Sequence, residues 1–272
     1  MDESGVRLAS VMQWARERQR RCLPAGIDTL LLLTIAVAWL GILLAWSGGY
    51  HAGFSVLHPL LGALLPDLAW EAITRFGDER LLLALTLLFA RRHPELLWAM
   101  VLAAVLGALY SRGLKHLVDA LRPPAVLSPE ALRVIGPVLH SHSFPSGHTT
   151  SAFVFFGVLA ACTRSGHVRA AALLAATLVG LSRVALGVHW PQDVLAGAFG
   201  GMLAAAMGTW LSLHWRAGLR PRVHLALLLL PLGALPVLLL SDAGNPSADW
   251  LVWPLVFAMA AQFALDYLSD RR

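Results

Sequence analysis

Long apolar runs separated by short clusters of charge are the dominant pattern of this chain. They cover residues 27–46, 76–90, 94–112, 148–161, 168–186, 191–213, 223–240 and 250–267. A helix of roughly 20 apolar residues crosses the ~30 Å hydrocarbon core of a bilayer, so each run is expected to be a membrane helix. None of the runs has the period-2 alternation of a membrane strand. The expected fold is therefore all-α, a polytopic transmembrane helical bundle of eight spans. The run 54–66 is shorter and is broken by Pro59, which predicts an interfacial or re-entrant piece, with Trp70 at headgroup level.

Composition narrows the class. Hydrophobic residues make up 57% of the chain and charged residues 14%, with a mean hydropathy of +0.66, which excludes an ordinary soluble domain. The pI near 10.0 raises the question of nucleic acid. The basic residues, however, are scattered between apolar runs and form no stripe, so membrane lipids are the expected partners and nucleic acid is not. Charge distribution instead sets orientation: with the N-terminus inside, 14 of the 21 Lys and Arg fall in inside segments. The positive-inside rule then predicts both termini in the cytoplasm.

Three regions follow: a basic N-terminal segment 1–26, a six-span core 27–213 and two further helices in 214–272. The run 27–46 is too long and too far from the start for a signal peptide and is expected to remain as an anchor. In the N-terminal segment, Leu8, Val11, Met12 and Ala15 share a helical face beside Arg7, Arg16, Arg18, Arg20 and Arg21. That pattern suits an amphipathic helix on an anionic surface or a solvated basic tail. Cys22 and Cys162 define no disulfide framework.

The informative polar residues sit at the ends of apolar runs, between Lys115 and Asp193. Pro145-Ser146-Gly147-His148 has the form of a helix start, with Ser146 as N-cap and Gly147 allowing close backbone approach. Free amides and the positive end of the helix dipole make such a start an anion site. Lys115, Arg122 and Arg183 reach the same predicted face and add three cations, a set suited to a phosphate whose charge spreads during phosphoryl transfer. His189 precedes Asp193 by four residues; a carboxylate that accepts from one ring nitrogen leaves the other lone pair free to attack phosphorus. His148 is the expected acid for the leaving oxygen. His140, His142 and Ser143 are expected to be loop residues.

Taken together, Lys115 with Arg122-Pro123, then Pro145-Ser146-Gly147-His148, then Ser182-Arg183, His189 and Asp193 resemble the three-part signature of the type 2 phosphatidic acid phosphatase family. The resemblance covers about residues 76–213. It implies that Lys115, Arg122, Ser146, Gly147 and Arg183 hold phosphate, that His148 is the general acid, and that His189 is the nucleophile with Asp193 as its partner. It also implies a six-helix core, hydrolysis of a lipid phosphate without metal or cofactor, and a bacterial inner membrane location with the site facing the periplasm or exterior. Undecaprenyl diphosphate is the favoured substrate. Phosphatidic acid, phosphatidylglycerol phosphate and lipid A phosphates compete with it.

Two other classes stand beside this reading. A lipid phosphotransferase would share the first half-reaction and pass the phosphoryl group to another lipid. A non-enzymatic lipid transporter would use the bundle alone. Gly197, Gly200, Gly201 and the alanines 204–206 read as close helix packing; Gly197-x-x-x-Gly201 is also the pattern of a helix-dimer face, the only hint of a homodimer.

Overall fold

The computed structural model describes residues 8, 10–17, 24–240 and 249–268. Among them every regular element is helical. We number the helices α1 (Pro24–Gly48), α2 (Phe54–Leu64), α3 (Asp67–Arg75), α4 (Glu79–Leu85), α5 (Pro94–Val118), α6 (Gly147–Cys162), α7 (Gly166–Ala185), α8 (Pro191–His214), α9 (Pro221–Leu240) and α10 (Trp250–Leu268).

Six of these, α1, α5 and α7 to α10, are long and apolar enough to cross a membrane. Their outward faces carry large apolar side chains such as Leu32, Ile35, Trp39, Leu109 and Phe257, which only a hydrocarbon solvent makes favourable. The protein is a multi-pass membrane protein.

Two expected spans are shorter than the roughly 20 residues of a membrane crossing. The run 76–90 is helical only as α4 and a following turn, Thr86–Leu88. Asp78 starts α4 by accepting from the Arg80 amide at 2.9 Å, and a sequence of turns ends the apolar run just before Pro94 opens α5. The run 148–161 is α6, with 16 residues.

Helices α2 and α3 meet at 104°, a bent pair of the re-entrant kind expected for 54–66. Trp70, expected at headgroup level, faces the protein interior. It is buried at 1% exposure and its indole donates to the Leu61 carbonyl at 3.0 Å, stitching the two arms together.

Helix α8 occupies the centre, packed against α1, α5 and α6. Its small residues allow the approach: a Cβ on Gly200 would sit 2.0 Å from the Tyr110 ring, and one on Gly197 would sit 2.7 Å from the Ser146 carbonyl. The glycine stripe is thus consumed inside this bundle. Helices α9 and α10 pack outside the core against α4.

At the N-terminus, Leu8, Met12 and Ala15 do share a face, but it is buried against Leu219, so the segment docks on the protein itself. Arg7, Arg18, Arg20, Arg21 and Cys22 lie outside the described residues. Cys162 is half-buried at the end of α6.

Candidate active site

The site forms where one end of α5, α6, α7 and α8 converges under the loop 119–146. A cavity of about 660 Å³ opens there, lined at its polar end by Lys115, Arg122, Gly147, His148, Arg183 and His189. Six of the eight predicted site residues thus share one cavity. The other two, Ser146 and Asp193, lie directly behind it.

Ser146 is the N-cap of α6 and is fully buried. Its hydroxyl accepts from the Thr149 amide at 3.4 Å and from the Thr149 hydroxyl at 2.9 Å. The Ser146 side chain, expected to contact phosphate, is therefore committed to the cap. Its own amide donates to the Asp193 carbonyl at 3.0 Å, which ties the start of α6 to the first turn of α8.

His189 follows the turn after α7 and is 2% exposed. Asp193 Oδ2 lies 3.1 Å from His189 Nδ1, and an Arg122 guanidinium nitrogen lies 3.1 Å from Nε2. A carboxylate on Nδ1 fixes the tautomer with the proton there, leaving the Nε2 lone pair toward Arg122 and the cavity. Burial, then the Arg122, Arg183 and Lys115 cations, hold the His189 pKa well below the usual 6.5, so the ring is neutral and nucleophilic near pH 7.

Each cation is positioned separately. Arg122 donates to the Ser141 carbonyl at 2.9 Å and the Val188 carbonyl at 3.1 Å. Lys115 donates to the His142 carbonyl at 2.7 Å. Arg183, in the last turn of α7, donates to Thr74 Oγ1 at 2.7 Å, while its Nε is buried without a partner among the described residues. A buried guanidinium N–H left open at a cavity wall is costly unless an anion completes it. His148 lines the same cavity from the first turn of α6, against Gly77, where a Cβ would come within 2.7 Å of the His148 Cβ.

Several residues here escaped the sequence reading. Ser143, expected to be an ordinary loop residue, is fully buried and donates to Asp193 Oδ2 at 2.5 Å. The Trp190 amide adds a third donor to that oxygen at 2.9 Å, and Tyr50, between α1 and α2, donates to Oδ1. Burial, then the Asp193 charge, pushes the Tyr50 phenol above its usual range, so it remains a protonated donor. Thr74 on α3 holds Arg183. These residues lie far from their partners along the chain, and no local motif announces them.

The donors around Asp193 predict a graded result. Tyr50→Phe removes one of them and should lower kcat by about tenfold while leaving the fold intact, since a net hydrogen bond to a charged group is worth ~1.5–3 kcal/mol. Steady-state kinetics on the purified variant, with circular dichroism as the fold control, checks this; an unchanged kcat would reduce Tyr50 to a packing role.

A histidine–carboxylate pair facing three cations at the ends of membrane helices is an arrangement suited to a bound anion. A family model described as the PAP2 superfamily matches residues 95–218. It is 29% identical over 143 residues to an undecaprenyl-diphosphatase of Sulfolobus acidocaldarius, an alignment covering 52% of this chain and 64% of that protein. It is 32% identical over 111 residues to a lipid A 1-phosphatase of Porphyromonas gingivalis, covering 40% and 22%. The chain therefore spans less than two thirds of the length of these curated relatives. Among solved structures it resembles LpxE of Aquifex aeolicus, with a TM-score of 0.51 and 27% identity over 57% of this chain and 91% of that one.

Proposed function

We propose that this protein is a membrane lipid phosphatase that removes the terminal phosphate of a lipid phosphate or diphosphate through a phosphohistidine. The observation that carries the reading is His189, neutral, with Nδ1 on Asp193 and Nε2 turned to a cavity that Lys115, Arg122 and Arg183 also line. The cations hold the three peripheral phosphate oxygens as His189 Nε2 attacks phosphorus. The bond from phosphorus to the leaving oxygen breaks, and His148 gives that oxygen its proton. Water then attacks the phosphohistidine, loses a proton to His148, and the P–N bond breaks to release inorganic phosphate.

The substrate we favour is a polyprenyl diphosphate such as undecaprenyl diphosphate, in keeping with the name of the Sulfolobus relative. The name of the Porphyromonas relative keeps a lipid A phosphate in view. The distribution of basic residues supports cytoplasmic termini and a site on the outer face of a bacterial inner membrane.

Purified protein given a terminally labelled lipid diphosphate, in chelator-containing buffer, tests the reading. Release of labelled inorganic phosphate is expected. Label recovered only on an added acceptor lipid would make the protein a phosphotransferase, and no turnover of any lipid phosphate would remove the enzymatic reading.

Acidity supplies a further check. Because His189 must be neutral to attack and its pKa is lowered, kcat/KM should stay high as pH falls to 6.5 and be lost only below it, once substrate ionisation is corrected for. A rate that halves as the pH is lowered through a midpoint near or above 6.5, from an enzyme group, would contradict a depressed His189.

A further inference from the structure

The cavity does not end at the phosphate. Its lining continues along α5 from Lys115 past Ala108, Ala104 and Met100 to Leu97, a rise of about 27 Å at 1.5 Å per residue. The hydrocarbon core measures ~30 Å, so this apolar limb extends well past the ~15 Å of a single leaflet. Its volume of about 660 Å³ spread over that length is a long, narrow slot.

The wall facing α5 is α4 with its terminal turn, through Leu82, Leu83 and Thr86. This element is short, with 7 residues in α4 and 3 in the turn, and it has two working faces. The opposite face, Leu81, Ala84 and Leu87, is buried against α9 through Leu228 and Ala234 and against α10 through Val252, Val256 and Met259. The pair is also fastened to itself and to the chain beyond α4. His224 Nε2 lies 2.7 Å from the Tyr267 hydroxyl, and the Arg91 guanidinium sits over the Tyr267 ring at 5.3 Å. A helix of so few residues has little stability alone, and its position rests on what packs behind it.

Building on the lipid-phosphatase reading, we infer that α9 and α10 are a brace that sets the width of a slot for one long apolar chain, and so select a substrate whose phosphate is carried on such a chain. The occupant is the substrate's own tail, because the slot is continuous with the phosphate site. Chain-length selectivity then resides in contacts that touch neither phosphate nor tail.

The test compares a water-soluble short-chain prenyl monophosphate with a long-chain one on wild type, Leu87→Ala and Met259→Ala. Each variant loosens the back of the wall. We expect kcat/KM for the long chain to fall about tenfold or more through KM, with the short chain within about twofold of wild type. Equal losses on both substrates, or none on either, would overturn the brace. Failure of wild type to hydrolyse either substrate would instead remove the phosphatase reading and the slot with it.

A second measurement needs no variant. A long-chain lipid phosphate with a photoreactive group at its distal end should label wild-type residues lining the slot, Met100 and Leu97 among them. Adducts confined to Val105, Leu109 and Leu117, which are exposed on α5, would place the tail in bulk lipid and overturn the slot.

Discussion

His189→Ala is expected to abolish turnover, with a loss in kcat on the order of 10⁴ or more, while the folded protein still binds lipid phosphate. The size follows from where the side chain stands. Its Nδ1 is held by Asp193 at 3.1 Å and its Nε2 meets the cavity beside Arg122, so no neighbouring group replaces it as nucleophile. A merely structural histidine would leave most of the rate once folding was restored. Rapid-quench trapping of an acid-labile phosphoprotein in wild type, absent in the variant, separates the two cases. Residual turnover within a hundredfold of wild type would end the phosphohistidine scheme.

The second large effect is at Arg183. Removing it as Arg183→Ala should cost on the order of 10² to 10³ in kcat, the usual loss for a group aimed at transition-state charge. Its geometry argues against a role as a membrane anchor. The guanidinium is buried, one nitrogen is spent on Thr74 at 2.7 Å, and Nε has no partner among the described residues. Arg183→Lys restores charge without the planar fork and should recover only part of the loss. A loss below about threefold in Arg183→Ala, by steady-state kinetics on protein of unchanged thermal stability, would return Arg183 to anchoring.

How much of this was legible depends on the range of the interaction. Membrane helices are written locally in hydropathy, and α1, α5 and α7 to α10 fall close to the expected runs. Apolarity alone does not mark where a helix stops, which is why the run 76–90 conceals a short α4 with a cap at Asp78. The cations and histidines were legible because each sits at the end of an apolar run, where charge is expensive without a purpose. Tyr50, Ser143 and Thr74 were not, since their value lies in partners 143, 50 and 109 residues away. The shared face of Leu8, Met12 and Ala15 was legible, but its neighbour Leu219 was not. Periodicity gives a direction for a side chain and says nothing about what it meets.

The bent pair α2 and α3, together with the turn before it, bears on how the protein must be assembled. Tyr50 and Thr74 precede the region matched by the superfamily, yet they complete the environments of Asp193 and Arg183, which emerge from the ribosome much later. This hairpin, translated before α7 and α8, is therefore made ahead of the residues it serves, and competence arrives only when the last of those helices packs against it.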